Sequence, residues 1–261
     1  MGDDTGPPGD RSGDRSADRS RGRSRDGGPD HGGEGKGEGD DSAGPGSISG
    51  AVADRASVRR TYERIADHFS TTREHPWPEV EAFCEGRSAG TALDVGCGNG
   101  RHLELLVGRA DRCVGVDASR AVLSVARERV PEAALIEADA SALPLAGDSV
   151  DLALYVATLH HLPTRSLRRR SLEELARVLD GGAECLVSAW STAHDRFDAS
   201  ADDDRGFDVE LDWTLPGGET VPRFYHIYAP TEFDADLEAA GLTVVDSKVS
   251  SGNCYGVVTQ R

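Results

Sequence analysis

Lysine is almost missing from the chain: Lys36 and Lys248 are the only two, and arginine supplies the rest of the 29 basic residues. Long apolar runs are missing too. No window approaches the ~18 apolar residues of a membrane-spanning helix, which excludes an integral helical membrane protein. No apolar run follows the charged N-terminus, so no secretory signal is expected. The five cysteines (Cys84, Cys97, Cys113, Cys185 and Cys254) are odd in number and none forms a Cys-x-x-Cys pair. That excludes a disulfide scaffold and a structural zinc site, and free thiols in a reducing cytoplasm are expected.

What is present in excess is acid. The 46 acidic residues give a formal charge of −17 over 261 residues. Residues 1–50 carry −4 of this and hold 15 of the 31 glycines, leaving −13 on the remainder. A folded segment so acidic and so poor in lysine suggests a halophilic cytoplasm, where salt screens self-repulsion. Residues 1–50 repeat Asp-Arg-Ser at 10–12, 14–16 and 18–20 and contain almost nothing to bury. Without apolar burial the entropy of ordering is not offset, so this stretch is expected to be a disordered Gly/Asp/Arg/Ser-rich tail, with one folded domain over 51–261.

Val58, Tyr62, Ile65, Ala66 and Phe69 recur at helical spacing and begin that domain. After the turn His75-Pro76-Trp77-Pro78 and a short helix near 79–86, strand-like and helix-like runs alternate. Strands are predicted at Thr91–Gly96, Cys113–Asp117, Ala134–Ala138, Val150–Val156, Glu184–Trp190, Leu242–Val249 and Asn253–Thr259. Helices are predicted at 100–107, 119–129, 164–179 and 231–240, with Asp180-Gly181-Gly182 as a helix stop. Strand-helix-strand repeats with short links imply parallel strands and right-handed crossovers. Only three residues separate the last two strands, which permits nothing but an antiparallel hairpin. A seven-stranded, mostly parallel α/β sheet ending in such a hairpin resembles the Rossmann-like fold of class I methyltransferases. Residues 191–229, polar and rich in Asp and Gly, interrupt the rhythm and read as a lid insertion, functional and poorly ordered.

Leu93-Asp94-Val95-Gly96-Cys97-Gly98-Asn99-Gly100 is the strongest motif. Its glycines let the backbone turn sharply and admit a ligand where a Cβ would intrude. The dinucleotide fingerprint has its third glycine one place later, where this chain has Arg101. Asp94 would repel a pyrophosphate but suits a ligand carrying an ammonium and a sulfonium, which is S-adenosylmethionine. Asp117 ends a second strand 23 residues on, placed for both ribose hydroxyls. Asp139 ends a third, within reach of an adenine amino group, although a helix cap is the plainer role for it. Gly96, Cys97, Gly98, Ala118, Ala140 and Val156 complete the expected lining. Cys97 reads as a small filler rather than a reactive thiol.

Tyr155-Val156-Ala157-Thr158-Leu159-His160-His161 closes the fourth strand, where the methyl acceptor belongs. No Asn/Asp-Pro-Pro-aromatic motif occurs there, which disfavours exocyclic amines and glutamine amides as acceptors. Thr72-Arg73-Glu74-His75-Pro76-Trp77-Pro78, the glycine motif, Leu159-His160-His161, Arg223-Phe224-Tyr225-His226-Ile227-Tyr228 and Gly252-Asn253-Cys254-Tyr255 occur in that order. Together, over about 57–261, they resemble the tRNA methyltransferases that esterify 5-carboxymethyluridine at the wobble position, including the methyltransferase domain of the oxygenase-fused homologue. Asn253-Cys254-Tyr255 departs from the family's Asn-Trp-Trp, and the acidic composition departs from a basic tRNA-binding surface.

The resemblance implies S-adenosylmethionine, a tRNA substrate and an acceptor pocket of Arg73, His161 and Arg223. It also implies a small zinc-binding activator protein paired with the sheet edge at Ala133-Ala134-Leu135-Ile136. A carboxylate acceptor is ionised at neutral pH and needs no general base, and arginine's planar fork suits it. Arg165 and Arg168 to Arg170 form the one dense basic cluster, read as a solvated helix face with phosphate contact as the sharper option. A small-molecule (quinone- or lipid-pathway) C- or O-methyltransferase, and a non-catalytic methyltransferase-like subunit, share the same cofactor half.

Overall fold

The computed structural model describes residues 54–197 and 204–261; the predicted tail over 1–50 lies outside the described residues. Asp54 caps the first helix, α1 (Arg55–Thr71), and Ser57 returns the bond in a capping box. Pro78 opens α2 (Pro78–Cys84). Then β1 (Ala89–Val95), α3 (Leu103–Leu106), β2 (Ala110–Asp117), α4 (Arg120–Arg129), β3 (Ala134–Glu137), β4 (Val150–Tyr155), α5 (Arg165–Val178) and β5 (Leu179–Trp190) follow. The chain closes with β6 (Phe207–Thr214), β7 (Thr220–Ile227), α6 (Pro230–Ala239), β8 (Leu242–Ser250) and β9 (Asn253–Gln260).

Seven strands form one sheet in the order β3-β2-β1-β4-β5-β9-β8. The first five are parallel, and β9 runs antiparallel to both of its neighbours, as the three-residue link demands. Both faces are covered, so each central strand feeds two cores by its period-two alternation. Leu93, Val95, Ala153, Tyr155, Cys185 and Val187 point into one core with the apolar stripe of α5. Ala92, Leu152, Leu154 and Leu186 point into the other with Val80, Leu103 and Leu123. Between β1 and β4 the strand order reverses, which opens a crevice at their carboxyl ends.

Four expectations change. The helix predicted at 100–107 is only Leu103–Leu106, because the glycine turn consumes the first residues. Asp180-Gly181-Gly182 does not stop a helix: α5 ends at Val178, and these residues already belong to β5, whose first pair is Val150 with Leu179. Of the basic cluster, Arg168 is buried, donating to the Leu162 carbonyl and lying over the Tyr228 ring. Arg165 and Arg169 pair with the fully buried Asp236 and Arg170 donates to the Ser141 carbonyl, but these three keep much of their surface in solvent, so only Arg168 leaves the expected solvated face. The predicted lid is largely a folded antiparallel hairpin, β6 with β7, and only residues 198–203 of it lie outside the described residues.

The hairpin folds because both strands alternate. Val209, Leu211 and Trp213 are buried on β6 between Asp208, Glu210 and Asp212, and Val221, Arg223, Tyr225 and Ile227 form the matching row on β7. Trp213 and Val221 pack on Ile65 of α1, while Val209, Leu211, Tyr225 and Ile227 pack around Trp190. This clamps the hairpin over the carboxyl ends of β4 and β5.

Candidate active site

A cavity of about 760 Å³ runs across the carboxyl ends of the parallel strands. Arg73, Gly96, Cys97, Gly98, Asp117, Ala118, Asp139, Ala140, Val156, His161 and Arg223 all reach its wall; Asp94 alone of the predicted residues does not.

The glycine turn leaves β1 with the amides of Gly96 and Cys97 donating to the Val116 carbonyl. Gly96 sits at φ +71°, and a Cβ there would collide with Thr158. Gly98, at φ +53°, meets nothing closer than the Phe69 ring, so the cradle there is open space. The Gly98 amide donates to Asp117 Oδ2 at 3.0 Å and the Ser119 amide to Oδ1 at 2.8 Å. Burial nevertheless pushes the Asp117 carboxyl up to about 6. Asp94 lies behind the turn, 2 % exposed, and its Oδ2 has no hydrogen-bond partner among the described residues. Burial, with the Asp117 charge beside it, raises the Asp94 carboxyl to about 7. Two buried acids under one open glycine turn make a field that favours a cation. Asp139 accepts from the Ser141 amide and hydroxyl and from Arg55, so it caps its own turn while facing the cavity. Despite its partial burial, those bonds hold its carboxyl below the usual carboxylate range. Cys97 packs into the core and burial raises its thiol well above normal, as a filler's should be.

Over β4 and β5 the wall changes character. Arg73 leaves α1's end with its carbonyl held by Asn99 Nδ2 at 2.9 Å, which ties it to the glycine turn. Its guanidinium carbon lies 5.7 Å from the centre of the Trp213 ring, and that of buried Arg223 lies 4.5 Å from the same indole and 5.2 Å from Tyr225. The two arginines of the discriminating motifs, 150 positions apart in the chain, thus meet at one aromatic ring. Tyr225 stacks on Trp190 at 4.8 Å and 13°.

Both histidines line the cavity, in different roles. His160 accepts the Trp190 amide at Nδ1, 3.0 Å. His161 lies 3.0 Å from the Phe224 carbonyl through Nδ1 and 2.7 Å from the Tyr62 hydroxyl through Nε2. His161 thus lines the cavity as expected, with both ring nitrogens engaged in hydrogen bonds to the protein. Burial lowers its pKa to about 3. Sequence reasoning passed over Tyr62, Arg101, Trp190, Trp213 and Tyr225. Tyr62 counted only as part of an apolar stripe, where its hydroxyl, which must find a partner once buried, is the missed signal.

Comparisons with known proteins bear on the family and the fold. Residues 93–187 match the family model of the methyltransferase domain. A tRNA (carboxymethyluridine(34)-5-O)-methyltransferase of Arabidopsis thaliana is 38% identical over 141 residues, 53% of this chain. The chain spans only 33% of that relative's length, and about a fifth of the corresponding vertebrate proteins. A relative from Encephalitozoon cuniculi named as a methyltransferase is 30% identical over 208 residues, which cover 77% of this chain and 94% of that one. Among solved structures, the complex between the Haloferax volcanii Trm112 methyltransferase activator and a methyltransferase matches with a TM-score of 0.57 at 16% identity, covering 78% of this chain and 97% of that one.

Proposed function

The chain belongs to the methyltransferase family, and on that premise we propose that it transfers the methyl group of S-adenosylmethionine to the carboxylate of 5-carboxymethyluridine at the wobble position of tRNA, forming a methyl ester. The single observation that carries the acceptor half is the meeting of Arg73 and Arg223 over Trp213, one strand-end beyond the glycine turn. The cofactor half rests on the open cradle at Gly98 and the orphaned Asp94 oxygen.

S-adenosylmethionine supplies an electrophilic methyl carried on a sulfonium. Asp117 and Asp139, at the ends of β2 and β3, hold its nucleoside, and Asp94 stabilises its charge from behind the turn. Arg223, with Arg73 between it and the turn, binds one oxygen of the acceptor carboxylate and leaves the other free to attack. Stacked rings at Trp190 and Tyr225 exclude water from that end. No proton need leave the acceptor, which agrees with a neutral His161 whose nitrogens are both engaged.

A small zinc-binding activator fits the β3 edge of the sheet, where Leu135 and Ile136 are half-buried and the strand has one neighbour. Five free, buried cysteines and the −17 charge support a cytoplasm of high salt as its setting. The test is incubation of labelled S-adenosylmethionine with tRNA carrying 5-carboxymethyluridine, with and without the activator. Label in tRNA that mild alkali releases as methanol supports the reading. Label only in the organic extract of a lysate points to a small-molecule acceptor, and no transfer despite adenosylhomocysteine binding points to a binding subunit.

A further inference from the structure

The Tyr62 hydroxyl and the His161 ring link α1 to the backbone beside Arg223. A carbonyl oxygen can only accept, so His161 Nδ1, 3.0 Å from the Phe224 oxygen, carries the ring's proton. In the neutral ring Nε2 is then bare and accepts the Tyr62 O–H at 2.7 Å. Tyr62 and Arg223 line the same stretch of the cavity wall. Phe224 follows Arg223 on β7, so the chain of donors runs from Tyr62 to His161 to the backbone beside Arg223. It ties together α1, the turn after β4 and the hairpin, three segments that meet only in the fold.

We propose that His161 is a positioning residue that holds β7 at Phe224, and with it the neighbouring Arg223, for the acceptor carboxylate, and that Tyr62 acts only through His161. This rests on the acceptor assignment above. Each group in the chain has one direction of donation available, so the Phe224 carbonyl cannot shift away from α1 without breaking it. The groups facing His161 are Tyr62 from α1, Arg223 and Tyr225 from β7, and His160 beside it. Burial and the Arg223 charge both oppose its protonation. His161 is therefore no base for the reaction at neutral pH; it is a fixed acceptor for one hydroxyl.

The experiment uses the full chain with its activator, and tRNA carrying 5-carboxymethyluridine as the acceptor. Tyr62→Phe keeps the ring and removes only the oxygen; His161→Gln keeps an acceptor near Nε2. Each lowers kcat/KM by about tenfold, as expected for losing one buried hydrogen bond between neutral groups, with adenosylhomocysteine affinity unchanged. Acting through one chain, the double variant falls no further than the worse single. Losses that multiply overturn the proposal. A second readout needs no turnover: the imidazole nitrogen resonances of His161 should show the neutral Nδ1–H form from pH 5 to 8, and Tyr62→Phe should move its Nε2 signal toward that of an unbonded nitrogen. An Nε2–H form, or protonation near the ordinary histidine pKa, overturns it. If the wild-type protein does not methylate that tRNA, the acceptor assignment fails instead, and the resonances alone decide the positioning role.

Discussion

The cradle at the ends of β1 to β3 and the wall over β4 and β5 bound the same cavity but are built by opposite means. The cradle is mostly backbone and short side chains: Gly96, Gly98, Ala118, Ala140, and acids that bond nearby amides, as Asp117 does to Ser119 and Asp139 to Ser141, with Gly98 and Arg55 their more distant partners. The wall is rings and arginines brought from far apart. Tyr62 meets His161 across 99 residues, His161 meets Phe224 across 63, and Trp213 donates to His68 across 145. A local cradle serves a ligand common to many chemistries, whereas a wall of long-range contacts sets what is methylated. The first survives changes in the hairpin; the second does not.

The largest effect that would break this division falls on Trp213. It is 1 % exposed and underlies both arginines, so Trp213→Ala should remove about 3–5 kcal/mol of stability. Denaturant unfolding measures that loss, and the protein that remains folded should still bind adenosylhomocysteine. Arg223→Gln is next. Methyl transfer should drop by about 10²–10³-fold, the magnitude of losing a preorganised charge-stabilising donor. Its affinity for adenosylhomocysteine should stay within about twofold by calorimetry; a parallel loss would mean that the two ends are not separable.

A smaller effect sharpens the cradle. Asp94 is raised to about 7 when folded, so below that pH it holds a proton. An ammonium brought near favours the ionised form, so adenosylhomocysteine binding should release up to one proton at pH 6–7 and none above about 8. Titration calorimetry in two buffers of different ionisation heat checks this, and Asp94→Asn should abolish it. The same raised pKa has a cost for folding. Between about pH 4, the unfolded value, and 7, the folded state holds a proton that the unfolded state releases, so this group's contribution falls as pH rises. His160 and His161 act in the other direction. Both are kept neutral by burial, so the unfolded state takes up protons below about 6.5 and stability falls as pH drops. The smallest effect belongs to the basic helix face. Arg169, 40 % exposed, shares the buried Asp236 with Arg165, so its change to Ala leaves that carboxylate paired, should cost about 1 kcal/mol and should leave tRNA affinity unaltered.

The same contrast explains what could be read from the sequence. The order of strands, the glycine turn and the acids at three strand ends are local patterns, and each predicted strand of the large sheet is present. The hairpin in 191–229 was legible too, since Phe207 to Thr214 alternates without a break, but acids on its outer row made it read as a polar insertion. Arg168 was misplaced because helical periodicity puts it beside the stripe of Leu172 and Leu175. Only the packed structure shows Tyr228 and the Leu162 carbonyl receiving it. Arg73 and Arg223 were found as motifs, whereas the indole that joins them and the Tyr62–His161 link to the backbone beside Arg223 depend on tertiary partners no spacing reveals.

A single preparation decides between a divided cavity and a merely mixed one: wild-type and Arg223→Gln proteins, each titrated with adenosylhomocysteine and then given labelled S-adenosylmethionine with tRNA carrying 5-carboxymethyluridine. Equal heats, with alkali-labile label in tRNA from the wild type alone, is the outcome expected of an acid-lined end for the donor and an arginine end for the carboxylate. Equal label from both proteins, or label that alkali does not release, would contradict it.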